Sequence, residues 1–300
     1  MTTFFIIASI GYAFMAAVAI LDKSILSKSL GVSSYAFYST VFFLGAFLLL
    51  PFSETISIGA FVWALISGLG FGFATWAMFL GLRRGEAAHI VPFIGAVTAV
   101  GVFILSSIFI GESFSSMQMA GITLLIVASF LFSYEKNNGK GTPRHAGFGW
   151  ALLSGFLFAI SHVAAKHFYG DYSFITGLAW TKGLVGIAAL FAFFGMKSEE
   201  SPLAENISGS TSGKSTSLWL VLVDKVLAIA GTLAIQYAIA IGSVAVVSGL
   251  VGLQYALILL FAFVSTMFAP RFFSEHFTRK EVVFEILAII LVIVGIFLLI

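Results

Sequence analysis

Long apolar runs separated by short polar breaks make up almost the whole chain. A helix that spans a bilayer needs about 20 mostly apolar residues, with about 17 to 25 as the working range. By that rule about ten stretches qualify, at approximately 3–26, 34–51, 58–82, 88–110, 117–134, 146–168, 173–195, 217–241, 244–268 and 281–300. Lipid admits only helices or closed barrels, and these runs are about twice the length of a barrel strand, so helices are predicted throughout. Two connections are long. YEKNNGKGTPRHAG (134–147) is polar and glycine-rich and falls near the middle of the chain, and KSEESPLAENISGSTSGKSTS (197–217) is serine-rich and reads as a flexible loop.

Composition agrees with the pattern. Of 300 residues, 60% are hydrophobic and 9% are charged, whereas a soluble domain carries about 25% charged residues. So few charges cannot cover a water-facing surface, and the chain belongs in a bilayer. There is no cysteine, which excludes disulfides, thiolate metal sites and a cysteine nucleophile. A net charge of +2 gives no reason to expect a nucleic-acid partner. The opening MTTFFIIASIGYAF has neither a basic lead nor a small-residue cleavage site, and is read as a first span rather than a signal peptide.

The two halves resemble each other. The fourth span ends in FIGESF (109–114) and the ninth is followed by FFSEHF (272–277), each with a Glu (Glu112, Glu275) two residues before a Phe. WAMFLG (76–81) in the third span matches YAIAIG (237–242) in the eighth, and LDKSIL (21–26) near the end of the first matches AAKHFY (164–169) near the end of the sixth. Five spans per half is an odd number, so the second half enters the membrane in the opposite direction, the inverted-repeat plan of many secondary transporters. The expected fold is therefore an all-α membrane protein of ten transmembrane helices, arranged as two inverted five-helix repeats. Residues 1–134 form the first repeat, 135–146 the linker, and 147–300 the second repeat, with its serine-rich loop at 197–217.

That arrangement resembles the drug/metabolite transporter superfamily, specifically its ten-helix chains with two EamA-type domains. The resemblance runs over nearly the whole chain and rests on the helix count, the repeat, the Gly-Glu of GESF and Pro92 early in the fourth span. In the second half Ser274-Glu275 stands in place of Gly-Glu, STMFAPR (265–271) is inserted before it, and Gly249 occupies the place of a proline. The resemblance implies a secondary transporter that moves a small metabolite or drug-like solute, amino acid or amine-like, by alternating access. It also implies a cavity lined by helices one, three, four, six, eight and nine.

Basic residues follow the odd-numbered spans (Lys28, Arg83, Arg84, Lys136, Lys140, Arg144, Lys197, Lys214, Arg271, Arg279, Lys280), and essentially none follow the even-numbered ones. The positive-inside rule then places both termini outside, while the resembled family is drawn with both inside. Tempting motifs have plainer readings. GSTSGKST (209–216) has three residues between its glycines where a phosphate loop needs four, so it is a linker. SGLGFGF (67–73) contains Gly-x-x-x-Gly spacing, which lets helix backbones approach closely. Glu112 and Glu275 each read as opening the helix that follows, where a carboxylate meets the positive end of the helix dipole.

Candidate chemistry lies in polar residues far from span ends. A charged side chain at the bilayer centre costs about 2.5–3.5 kcal/mol on insertion scales, so such residues face a cavity or a partner. Lys182 near the centre of the seventh span, Asp224 and Lys225 inside the eighth, and Asp22 and Lys23 late in the first form the expected buried charge pair or gate, with Lys182 bonded to Asp224. A competing reading makes Lys182 a cavity cation that meets an anionic group of the substrate. Seven residues fall on helices that the resemblance assigns to the cavity: Trp76, Thr98, His162, Gln236, Tyr237, Gln254 and Tyr255. Aromatics and amides with few charges suit a small amphipathic solute, and helix-to-helix packing is the equal alternative for each of them.

The expected partners are thus a small-molecule substrate and the lipid bilayer of the cytoplasmic membrane, with protons as the candidate coupling ion. Asp224, Asp22 and His162 are the available proton carriers. No nucleic acid and no cofactor are expected, and both a monomer and a dimer are compatible. His89, His145, His162, His167 and His276 share no metal-ligand spacing, and no constellation suits a catalytic site. An intramembrane enzyme or lipid-handling protein is the alternative class.

Overall fold

In the computed structural model the described residues are 2–26, 37, 39–84, 87–133, 147–195, 214–268 and 279–299, and every regular element among them is helical. In chain order these are α1 (Thr2–Leu26), a 3-10 helix η1 (Val41–Phe52), α2 (Ile58–Arg84), α3 (Ala87–Phe109), α4 (Ser116–Phe132), α5 (Phe148–Asp171), α6 (Phe174–Gly195), α7 (Lys214–Ile241), α8 (Val244–Gly249), α9 (Val251–Phe268) and α10 (Arg279–Leu299). Six segments among the described residues are long and apolar enough to cross a membrane: Thr3–Leu21, Ile58–Arg84, His89–Phe109, Phe148–Asp171, Phe174–Phe191 and Leu222–Ile241. Shorter apolar helices fall at the other expected positions, Val41–Phe52, Ser116–Phe132, Val244–Ile258 and Val283–Leu299. Large apolar side chains lie exposed on the outside of nearly every helix, among them Ile6, Leu48, Ile108, Phe156, Val226 and Ile293. Such a surface requires lipid around it.

Local chemistry explains the boundaries. α3 ends where Gly111 takes a left-handed φ of 72°, and Glu112 N–H folds back to Ser106 O at 3.3 Å. Glycine adopts that conformation without the Cβ clash other residues meet. α4 begins with a reciprocal capping box: Ser115 Oγ accepts from Gln118 N–H at 3.2 Å while Gln118 Oε1 accepts from Ser115 N–H at 3.0 Å. α7 starts at Lys214, inside the stretch expected to be loop up to residue 217. The span expected at 244–268 is divided at Leu250 into α8 and α9, next to the glycine that takes the place of a proline.

The segment expected at 34–51 departs furthest from expectation. It winds as a 3-10 helix over Val41–Phe52. With about three residues per turn, side chains at i and i+3 line up in one row. Leu44 and Phe47 form such a row and fit against Gly186 and Gly183 of α6, which repeat at the same interval; a Cβ on either glycine would collide with them. The extra rise also matters, because a 3-10 turn advances about 2.0 Å per residue against about 1.5 Å in an α-helix. Twelve residues thus reach about 24 Å instead of about 18 Å.

Small residues bring the main helices together. α2 lies between α5 and α6. Gly68 and Gly72 face Leu184 and Ala188 of α6, and Gly70 faces Leu157 and Ser161 of α5, so the Gly-x-x-x-Gly stretch packs helices as expected. At that closeness Ser161 Oγ donates to Ser67 O at 2.7 Å, and Ser154 Oγ to Ala74 O at 2.8 Å. α1 packs on α7 with Gly11 against Gly231, and α4 packs on α10 with Gly121 against Gly295. α3 packs on α5, and α1 also packs on α9.

Candidate functional site

Polar groups inside this bundle fall into two sets with different roles. The first set ties helices together. Thr98 Oγ1 donates to Ile94 O at 2.8 Å and lies 3.2 Å from Gly155 O, joining α3 to α5. Tyr169 O–H donates to Gln236 Oε1 at 3.1 Å, joining α5 to α7. Tyr255 O–H donates to Val91 O at 3.0 Å, joining α9 to α3 one residue before Pro92. That approach depends on Gly95, where a Cβ would overlap the Tyr255 hydroxyl. Tyr12 O–H donates to Val247 O at 2.9 Å and so fastens α1 to α8. Thr98, Gln236 and Tyr255 are therefore occupied in helix contacts, while Gln254 is buried on the same α9. Tyr237 is 40% exposed and edge-on to Phe174 at 5.1 Å.

The second set surrounds Phe71, near the midpoint of α2. Lys182 Nζ of α6 lies over its ring, 4.3 Å from the centroid. Phe158 of α5 meets it edge-on at 5.0 Å, and Phe43 of η1 at 6.1 Å. His162 of α5 is 6.4 Å from the Phe71 ring and stacks on Phe158 at 6.2 Å. Lys182 is 1% exposed, and no carboxylate or hydrogen-bond acceptor reaches its ammonium group among the described residues. His162 Nδ1 is buried and has no hydrogen-bond partner there either, and the same holds for Trp76 Nε1. His162 and Lys182, on the consecutive helices α5 and α6, thus share one aromatic wall.

The expected Lys182–Asp224 pair is not made. Asp224 is fully buried, and the ammonium that approaches it is Lys225, with Nζ 2.8 Å from Oδ2. That approach does not have hydrogen-bonding geometry, and neither Asp224 oxygen has a hydrogen-bond partner among the described residues. Lys225 also reaches Ser39 Oγ at 3.4 Å, just before η1. Depth explains the separation. Lys182 stands eight residues in from Phe174, where α6 begins, and Asp224 stands seventeen residues in from Ile241, where the antiparallel α7 ends on the same face. The difference is about 13 Å along the bundle at about 1.5 Å per residue. The side chains of Asp22 and Lys23, and all of Glu275, lie outside the described residues.

Two charged residues do more than the sequence suggests. Glu112 does not open the helix that follows it, since Ser115 and Gln118 already cap α4. It reaches across to the start of α8, where it accepts from Ser243 Oγ at 3.0 Å, Val244 N–H at 3.0 Å and Ala245 N–H at 3.4 Å. Lys166 of α5 donates to Ile239 O, Ala240 O and Gly242 O at 3.0, 3.2 and 2.6 Å, filling the carbonyls that α7 leaves open at its end. The tight α7–α8 corner is held by a cation at its negative side and a carboxylate at its positive side. The sequence shows the Gly-Glu step but not that the Glu112 carboxylate ends on α8.

Fold and composition together define a multi-pass, all-α membrane protein. No family model and no curated protein matches the chain. Its architecture is similar to that of a solved structure described only as "Crystal structure of protein", with a TM-score of 0.67 and 14% identity over 99% of this chain and 96% of that one. Likeness at that identity is one of fold.

Proposed function

We propose that the chain is a secondary transporter of a small metabolite in the cytoplasmic membrane, of the drug/metabolite type, working by alternating access between two inverted five-helix halves. The observation that carries this reading is the exchange symmetry of the packing. Substituting each element by its counterpart in the other half turns the α2–α5 contact into α7–α1 and the α3–α5 contact into α9–α1, and leaves η1–α6 and α4–α10 unchanged, while the α2–α6 contact has no matching α7–η1 interface among the described residues. Individual positions follow the same register. The alignment of LDKSIL with AAKHFY and of WAMFLG with YAIAIG matches Gly11 to Ser154 and Ala74 to Ile235; Gly11 packs against Ile235, as Ser154 bonds Ala74. Two halves that share these contacts and, on this reading, enter the membrane in opposite directions would exchange conformations and so open a midplane site to each face in turn.

Counterflow in proteoliposomes tests the reading. Liposomes loaded with a mixture of unlabelled metabolites should accumulate the labelled form of one of them saturably, with the solute recovered unchanged. Recovery of a chemically altered product would instead make the chain an intramembrane enzyme, and no accumulation across a broad metabolite set would refute transport.

A further inference from the structure

Lys182 has less stabilisation than a buried charge requires. Moving an ammonium group to the centre of a bilayer costs about 2.5–3.5 kcal/mol. A desolvated cation over an aromatic face recovers about 2 kcal/mol, and the face of Phe71 is its one charge-stabilising contact among the described residues. All three ammonium N–H donors are left without an acceptor there, whereas the equally buried Ser154 and Ser161 have theirs. His162 Nδ1, on the adjoining wall, is a second buried polar atom without a partner. Both groups can donate to an oxygen, and no carboxylate of the described residues stands with them.

We propose that Lys182 and His162 seat the carboxylate of the solute against Phe71 and Phe158, so that the chain selects monoanionic aromatic acids and rejects amines. This deepens, and rests on, the transport reading above. The solute supplies the charge that Lys182 lacks, and a single cation suits a single negative charge. The aromatic walls accept a flat ring by edge and face contact. An ammonium or quaternary amine entering the same space would meet Lys182 as a like charge in a low-dielectric site, where such repulsion is strongest. Because Lys182 is 1% exposed, the seat is closed to bulk water in this conformation. The solute reaches it only when the bundle opens to one face.

The test uses the full chain in detergent with three probes of one shape at matched ionic strength: benzoate, benzamide and benzylammonium. A charge-assisted hydrogen bond distinguishes the first by about tenfold or more in affinity, read from the shift of apparent Tm with probe concentration. Lys182→Met should bring benzoate down to the level of benzamide, and Lys182→Arg should keep benzoate ahead. Benzylammonium binding as well as benzoate, binding of none of the three, or a Met variant that still prefers benzoate each overturns the proposal. Should the Met variant fail to fold, Phe71→Leu carries the test: benzoate should weaken toward butyrate, and an unchanged benzoate-to-butyrate ratio overturns it. Proteoliposome uptake separates the two readings. A Lys182-dependent preference without flux removes transport and leaves the seat, and flux without that preference does the reverse.

Discussion

Replacing Glu112 by Ala should loosen the α7–α8 corner, and the size of the effect follows from its contacts. The carboxylate accepts one hydroxyl and two backbone N–H groups. Hydrogen bonds to a charged group contribute about 1.5–3 kcal/mol each in favourable geometry, and a carboxylate at a helix start adds about 0.3–1 kcal/mol. The 3.4 Å bond to Ala245 N–H is weak. Water can replace part of what is lost at this partly buried site, so the net cost is about 2–3 kcal/mol. For a chain of this size each kcal/mol lowers Tm by about 2–4 °C, and the expected fall is about 4–12 °C. Glu112→Gln keeps one acceptor oxygen and should lose about half of that. Unfolding followed by intrinsic tryptophan fluorescence in detergent measures both variants. Combining Glu112→Ala with Lys166→Met tests the corner as a unit, since neighbours that act together give non-additive losses of about 0.5–3 kcal/mol. A Glu112→Ala chain that melts within about 1 °C of the parent would refute the clamp.

Gly95→Ala should destabilise by about 1–3 kcal/mol through overpacking against Tyr255, and Tyr255→Phe, which removes one hydrogen bond to Val91 O, by about 0.5–1.5 kcal/mol; the same melting assay ranks them, and equal or reversed losses count against the close approach. Glu54, in the turn between η1 and α2, is held below its ordinary pKa of 4.5 by hydrogen bonds, first from the Ser173 side chain and then from its backbone N–H. Its stabilisation is present above the ordinary glutamate value and lost as pH falls through the lowered one, so the melting difference between parent and Glu54→Gln should be full near neutral pH and vanish in acid. The chain has no cysteine, so single cysteines report topology: Arg84→Cys should be labelled from the cytoplasmic face and Asp171→Cys from the other, and the reverse pattern would favour termini inside.

Much of the bundle could be read from the chain because a bilayer imposes a length on every apolar run. Helix positions and the packing role of Gly68 and Gly72 followed from that constraint and from residue size. The winding of η1 did not, because a period of three acquires meaning only beside Gly183 and Gly186 of another helix. The partner of Lys182 was misread for a related reason. Sequence places Lys182 and Asp224 on neighbouring spans, but their depths depend on where α6 begins and α7 ends. Thr98, Gln236 and Tyr255 are expected from the sequence to line a substrate cavity, and only their carbonyl and hydroxyl partners reveal that they fasten helices. The aromatic wall of Phe71 was hidden by abundance, since 34 phenylalanines leave no single one conspicuous.

The packing of α1 sets a schedule for synthesis. Its main neighbours are α7 and α9, and Tyr12 waits for Val247, 235 residues further on. At about 5–20 residues per second that interval is about 12 to 47 s. Through that time α1 stands without its permanent partners, with Gly11 and the Tyr12 hydroxyl turned to lipid or to a helper protein. An N-terminal half expressed alone would never end that wait. Co-expression of the two halves as separate chains should rescue it, which makes α1 a reporter of when assembly is complete.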